Sequence, residues 1–259
     1  MMNNENVEQL IQRRKEYGSD FLVIAPTYNE IENIGDLITR LINDVSVVIE
    51  ILIVDDNAPD GTAAFVEEQK KMIPNLHLLK RPCKSGLGSA YLDGFDIGVK
   101  AGFKYVVTMD ADLSHDPKVI DTMAEEIKTH DLVIGSRFVR GGGMVDIEVL
   151  RIINSKFANL ITDKLLGMPF HDCTSGFRCY RVSLIKKYNL EMVIKARRYV
   201  FLVELLHFLF RNGHAIKEIP IIFINRLKGE TKINISEMIY AAKIILRLII
   251  RSMYTKFIK

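Results

Sequence analysis

The sequence predicts an α/β protein: a doubly wound, mostly parallel sheet with helices on both faces, followed by a C-terminal amphipathic helix. Three observations lead there. From residue 21 to 136, short β-branched runs alternate with apolar residues at helical spacing, as repeated βα units require. The strand-like runs end in polar clusters, so their carboxyl ends bring chemistry to one rim. Residues 234–259 carry a basic stripe at four-residue intervals in an otherwise apolar segment.

Taken in order, MMNNENVEQLIQRRKEYGSD (1–20) is a polar N-terminal segment without the apolar core of a signal peptide. FLVIAP (21–26) is the first strand, and Ile34, Leu37, Ile38, Leu41 and Ile42 mark the helix after it. VVIEILIV (47–54), Leu76–Leu79, YVVTM (105–109) and DLVIG (131–135) read as further strands. Helices from about Thr62, from about Gly86 and over Pro117–Lys128 separate them. After Arg137 the alternation stops. There follow a glycine-rich turn (Gly141–Gly143), a helical stretch over Glu148–Leu166, the loop HDCTSGFRCY (171–180) and a helix over Tyr199–Arg211. A strand over Ile216–Ile224, the basic loop NRLKGETK (225–232) and the final helix complete the chain. No repeat or low-complexity linker divides it, so residues 21–233 read as one domain with 234–259 as its helical elaboration.

Composition narrows the function. With 48% hydrophobic residues among 259, disorder is excluded. The net charge of +3 hides a polarity: 13 Lys+Arg stand against 23 Asp+Glu up to Ser136, and 22 against 9 after it. An acidic, cation-organised site in the first half and an anionic partner for the second, nucleic acid or a membrane surface, are the expectations. Cys83, Cys173 and Cys179 form no CxxC pair and leave one thiol over, as in a reduced compartment. His171 and Asp172 beside Cys173 have poor spacing for a zinc site. The longest uncharged run is nine residues, Phe21–Asn29, well short of the ~18 needed to span a bilayer, so the chain is expected to fold in the cytosol.

The chemistry concentrates at the strand ends. In DADLSHDP (110–117), Asp110 and Asp112 stand two apart as the chain leaves a buried strand. Extended residues i and i+2 point the same way, and a hard divalent cation relieves the repulsion of two converging carboxylates. Mg2+ or Mn2+, bridging substrate phosphates, suits so few protein oxygens; the plainer alternative is a solvated turn capping the next helix. Asp55 and Asp56 are adjacent and diverge, which makes Asp56 the candidate acceptor for a base or ribose, although DDNAPDG also has the makings of an Asx turn. GLGSAY (86–91) lacks the third glycine and the later acidic residue of a dinucleotide fingerprint, which argues against a nicotinamide dehydrogenase. Its glycines still let a helix N-terminus approach a nucleotide. Arg137 follows the fifth strand, and Arg226 and Lys232 flank Gly229; such cations suit phosphate recognition, with solvated surface charge as the alternative.

Six ordered motifs, PTYNE (26–30), DDNAPDGT (55–62), GLGSAY, DADLSHDP, TSGFRCY (174–180) and NRLKGETK, together resemble the family 2 glycosyltransferases over about residues 20–240. Within that family they are most similar to the catalytic subunits of dolichol-phosphate mannose synthases. The resemblance implies a GT-A-type fold and inverting transfer of mannose from GDP-mannose to dolichyl phosphate at the cytosolic face of the endoplasmic reticulum. The product would serve protein glycosylation and GPI-anchor biosynthesis. It implies further that Pro26, Tyr28, Glu30, Val54 and Asp56 hold guanosine, and that Asp110, Ala111 and Asp112 form the metal and diphosphate motif. Arg137, Arg226 and Lys232 would contact the sugar diphosphate, and Arg151 and Ser155 would receive the lipid phosphate. Asn57 and Ala58 depart from the commoner DDGSPDGT, and Ser114 stands where some relatives have Gln, which leaves a third metal ligand open.

A phosphate acceptor is already anionic at neutral pH, so no general base is required, and catalysis rests on charge and positioning by the metal, Arg226, Lys232, Arg151 and Ser155. In the last helix, Asn234 and Glu237 have capping-box spacing and Lys243, Arg247 and Arg251 form the stripe. Crossing a bilayer would cost ~2.5–3.5 kcal/mol for each of these cations, so the helix is expected to lie flat on a membrane surface, alone or with small membrane-anchoring subunits. The alternative is an ordinary helix packed on the sheet. Other readings are a dolichyl-phosphate glucose synthase or another polyprenyl-phosphate transferase, and a silent nucleotide-binding subunit. Nucleic-acid binding is disfavoured by the apolar character of the basic helix.

Overall fold

The computed structural model describes residues 4–147, 159, 162–225 and 235–257. Helix α1 (Asn4–Tyr17) leads into β1 (Phe21–Thr27), α2 (Ile34–Asp44), β2 (Ile49–Asp55), α3 (Thr62–Gln69), β3 (Leu76–Lys80), α4 (Leu87–Lys100), β4 (Tyr105–Thr108), α5 (Val119–Glu126) and β5 (Leu132–Ser136). Then follow β6 (Gly143–Val145), β7 (Arg178–Arg181), α6 (Val182–Lys187), α7 (Leu190–Val193), α8 (Phe201–Arg211), β8 (Ile216–Pro220), β9 (Ile222–Ile224) and α9 (Ile235–Phe257).

Seven strands form the main sheet in the order β3-β2-β1-β4-β7-β5-β8, and β6 pairs with β9 in a separate ribbon. All neighbours in the main sheet are parallel except β7, which runs antiparallel between β4 and β5. Alternation along the strands divides the core. Leu22, Ile24, Leu52, Val54, Val106, Ile134 and Tyr180 face one layer with α4, α8 and α9. Val23, Ala25, Ile51, Ile53, Val107, Val133 and Cys179 face the other, with α2, α3 and α5. Helices therefore cover both faces, as the alternating pattern predicts.

Three features differ from the sequence reading. TSGFRCY is not all loop, because Arg178–Arg181 is the strand β7 at the middle of the sheet. The single strand expected over Ile216–Ile224 divides at Ile221: β8 extends the main sheet beside β5, whereas β9 leaves it to pair with β6. The polar segment before residue 21 forms α1, whose Leu10 is fully buried on the main core. Of the helix expected over Glu148–Leu166, residues 148–158, 160 and 161 lie outside the described residues.

Candidate functional site

The chain runs outward from β1 through β2 to β3, then returns to place β4 on the other side of β1. Strand order thus reverses between β1 and β4, and in open α/β sheets ligands bind in the crevice beyond the carboxyl ends at that point. Here that crevice receives Tyr28 after β1 and Asp110 after β4, with Asp56 one strand away after β2.

The acidic motif leaves β4 through a tight turn in which Leu113 is left-handed, with φ +63°. Asp112 is buried, and one of its oxygens accepts from the Ser114 amide at 3.2 Å and the Ser114 hydroxyl at 2.5 Å. The Asp110 side chain is about one-third exposed. Opposite it lies Gly176, where a Cβ would stand 3.3 Å from Asp110 Oδ1 and 3.5 Å from the Tyr91 hydroxyl. That hydroxyl is buried and has no hydrogen-bond partner among the described residues. Burial and the neighbouring Asp110 charge push the Tyr91 phenol well up, so it stays protonated. No three or more His, Cys, Asp or Glu gather to hold a metal among the described residues. Asp110 facing a glycine gap, with the Asp112 carboxylate two residues on, fits a hard cation that keeps water and takes its other ligands from substrate phosphate. Ala111, between them, is buried.

A second wall comes from the loops after β1 and β2. Asp55 is structural: fully buried, it accepts from the Thr27 hydroxyl at 2.9 Å and the Ala58 amide at 3.0 Å. Asp60 accepts from the Ile31 amide at 2.9 Å and from Thr62, which ties the two loops together. Asp56 is ion-paired with the buried Arg81 and accepts from the Ser85 amide at 3.3 Å. Burial pushes the Asp56 carboxyl up, and Arg81 pulls it only part of the way back. Arg81 also reaches the Ser89 hydroxyl at 2.5 Å and Asp93 at 2.9 Å. Tyr28 carries the Lys84 ammonium 3.8 Å above its ring. Glu30 is buried and accepts from the Asn33 side chain at 2.9 Å, Val54 is fully buried in the sheet, and Pro26 is half-buried.

The glycines of GLGSAY serve a different purpose from the one expected. Gly86 has φ +94°, and a Cβ there would meet the Arg197 carbonyl oxygen; at Gly88 it would stand 2.5 Å from Phe201 Cβ. The space is filled by protein, so these glycines let α4 and α8 approach.

Arg137 is anchored rather than loose. Its Nε and Nη2 donate to the two oxygens of the fully buried Asp172, each at 2.7 Å, and Nη2 also donates to the Thr174 hydroxyl at 2.7 Å. Burial pushes the Asp172 carboxyl up, yet the Arg137 bonds and charge outweigh it and hold it below the usual carboxylate range. Arg137 Nη1 has no partner among the described residues. The residue lines a cavity of about 460 Å³ with Phe138, Val139, Met144, Asn159 and His171.

Pro26, Tyr28, Glu30, Asp56, Asp110 and Asp112 are thus brought to the carboxyl rim, and Arg137 stands at the end of β5. Arg151, Ser155, Arg226 and Lys232 lie outside the described residues. Sequence reasoning missed Arg81, Asp172, Arg178 and His115. Arg81 and Asp172 have no local signature, since Asp56 and Arg137 lie 25 and 35 residues away, whereas His115 and Arg178 stand inside motifs already noted but bond there to main-chain groups that residue spacing does not reveal.

The Glycosyl transferase family 2 model matches residues 22–189, which hold both acidic turns and the antiparallel strand. A polyprenol monophosphomannose synthase of Mycolicibacterium smegmatis is 39% identical over 215 residues, covering 82% of this chain and 80% of its own. An undecaprenyl-phosphate mannosyltransferase of Micrococcus luteus is 39% identical over 213 residues, covering 82% and 87%. Among solved structures, glucosyl-3-phosphoglycerate synthase of Mycobacterium tuberculosis, in a complex with Mn2+, UDP and glucosyl-3-phosphoglycerate, aligns with a TM-score of 0.63 at 16% identity. That alignment covers 95% of this chain and 83% of the other, and the likeness is one of fold. A GT-A sheet with an acidic pair at its switch point, matched by the family model across that site, makes this chain a member of glycosyl transferase family 2.

Proposed function

We propose that the protein transfers mannose from GDP-mannose to a polyprenyl phosphate, with inversion at the anomeric carbon. The observation that carries this reading is the Asp110–Asp112 pair at the β1/β4 crevice, in a chain whose relatives at 39% identity are named for polyprenyl-phosphate mannose transfer. Those relatives are bacterial, and one is named for undecaprenyl phosphate, so they support the polyprenyl class. Dolichyl phosphate, and with it a place on the endoplasmic reticulum, is the narrower form of the same proposal.

Asp56, held in one orientation by Arg81, and the loop carrying Tyr28 and Glu30 receive the nucleoside. Asp110 and Asp112 would hold Mg2+ or Mn2+, which supplies positive charge to the diphosphate as it leaves. Arg137 presents Nη1 from a fork already fixed by Asp172, so little ordering entropy remains to be lost when it meets the donor. A phosphate oxygen of the acceptor attacks the anomeric carbon as the bond to the diphosphate breaks; already anionic, it needs no side chain as base. Arg151 and Ser155 at the acceptor phosphate, and Arg226 and Lys232 at the diphosphate, complete the proposal on family resemblance.

The acceptor lies in a membrane, and we assign α9 to its surface. No helix among the described residues is long and apolar enough to cross a membrane. Ile244 and Leu248 of α9 are buried on the core, while Ile239, Leu246 and Ile250 stand about half exposed on another face beside the exposed Lys243, Arg247 and Arg251. The helix therefore both packs on the domain and offers an apolar and basic face outward, which combines the two alternatives the sequence left open.

The deciding experiment incubates purified protein and Mn2+ with GDP-mannose or UDP-glucose, and with undecaprenyl or dolichyl phosphate. Mannosyl lipid from GDP-mannose is expected, abolished by Asp112→Ala. Glucosyl lipid from UDP-glucose, or near wild-type turnover in the variant, overturns the reading.

A further inference from the structure

His115 has no part in the chemistry above, yet it is 2% exposed at the centre of the site. Its Nδ1 accepts the Asp110 backbone N–H at 3.1 Å. An accepting Nδ1 carries no proton, so the neutral ring bears its hydrogen on Nε2, which lies 4.0 Å from Asp110 Oδ2. One ring thus faces both the main chain and the carboxylate of Asp110.

The ring is itself clamped. It stacks on Phe177 at 4.9 Å between centroids with 20° between planes, and meets Phe223 edge-on at 5.5 Å. Phe177 closes the loop that carries Asp172 and Gly176, and its carbonyl accepts from the Gly135 amide at 2.8 Å. Phe223 lies on β9, whose Ile224 amide donates to the Ser114 carbonyl at 3.2 Å. The Arg137 guanidinium lies 5.4 Å from the Phe223 ring centre. The acidic turn, the Arg137 anchor and β9 therefore meet around one imidazole.

We propose that His115 is the positioning residue of the acidic motif: its Nδ1, fixed by the two phenylalanines, holds the Asp110 main chain where the carboxylate meets the cation and diphosphate. This rests on reading Asp110 and Asp112 as the metal and diphosphate site. A partner of this kind, one step behind a ligand, typically changes metal affinity by roughly 10- to 100-fold when removed.

The test separates acceptor from ring. His115→Asn places an amide oxygen near the Nδ1 position, His115→Gln reaches instead toward the Nε2 position, and His115→Phe keeps the stack with no acceptor. Mn2+ binding in the presence of GDP is read by electron paramagnetic resonance of the free ion, with thermal unfolding alongside. Expected is a loss of Mn2+ affinity of roughly 10-fold or more in the Phe and Gln variants, with the Asn variant within about 3-fold of wild type. Wild-type affinity in the Phe variant, or an Asn variant no better than Gln, overturns the proposal. If the Phe variant does not fold, the Asn and Gln pair decides alone. Repeating the series with UDP keeps the readings apart: a wild-type chain that binds Mn2+ with UDP and not GDP defeats the donor assignment while the His115 comparison still stands or falls on its own.

Discussion

Asp172 offers a sharp test of how the site is held. Five donors converge on its carboxylate: Arg137 through N, Nε and Nη2, the Ser175 amide at 3.1 Å and the Thr174 hydroxyl at 3.1 Å. Asp172→Ala leaves the Arg137 guanidinium, whose side chain is only 11% exposed, without its counter-charge. Breaking a buried pair by removing one partner costs about 3–5 kcal/mol, a large part of a typical stability of about 5–15 kcal/mol. At about 2–4 °C per kcal/mol for a chain of this size, Tm falls by about 6–20 °C. Thermal unfolding followed by circular dichroism at pH 7 measures it, with Asp172→Asn falling between the two. Adding Arg137→Met to Asp172→Ala should recover about 1–3 kcal/mol relative to the sum of the single losses, because no unpaired charge remains. The sign with pH follows from a carboxyl held below its ordinary 3.8: the contribution is complete above about pH 4 and is lost as pH falls through the folded-state value. A Tm within about 2 °C of wild type for Asp172→Ala, or strict additivity in the double variant, would refute the argument.

Two further outcomes are expected. Gly88→Ala drives a methyl group into the fully buried Phe201 and should cost about 1–3 kcal/mol, seen as a lower urea midpoint with unchanged slope; an unchanged midpoint means α4 and α8 are not in close contact there. Replacing Ile239, Leu246 and Ile250 of α9 by Asn should reduce co-sedimentation with anionic liposomes at least ten-fold while Tm is kept, since these residues face away from the core; retained binding places the membrane contact elsewhere.

Much of the architecture was legible because it depends on periodicity. The five strands β1 to β5 and their helices follow from apolar spacing, and the rim at their carboxyl ends follows from the polar clusters there, whereas the reversal of strand order between β1 and β4 is seen only in the structure. What was hidden depends on contacts between distant residues. Arg178–Arg181 carries two arginines in four residues, and nothing local marks it as a central strand, yet its Cys179 and Tyr180 face the two opposite cores. From Ile219 to Ile224 the residues are apolar without a break, so periodicity cannot show that the part after Pro220 leaves the sheet. Asp56 stood out in the sequence at a strand end, whereas Arg81, which pairs with it from 25 residues away, did not. The glycines of GLGSAY were noticed for a nucleotide and turned out to be needed by Arg197 and Phe201.

The antiparallel strand also brings part of the basic second half to the rim that holds the acidic turns. Inserted between β4 and β5, β7 carries the loop before it to the same rim as Asp110. Arg178 then anchors that loop: fully buried, it donates to the carbonyls of Ser175 at 2.8 Å, Leu202 at 2.8 Å and Cys173 at 2.7 Å. A buried guanidinium satisfied by main-chain oxygens keeps its positive charge largely uncompensated, and it ties the loop to α8, on which α9 packs. The same loop carries Asp172, which fixes Arg137, and Gly176, which faces Asp110. Up to Ser136 the chain has net charge −10 and after it +13, and β7 sets part of the second half between two strands of the first. Because the chain returns into the middle of its own sheet, the loop that fixes Arg137 through Asp172 and faces Asp110 with Gly176 comes from the strand beside the one that supplies the carboxylates.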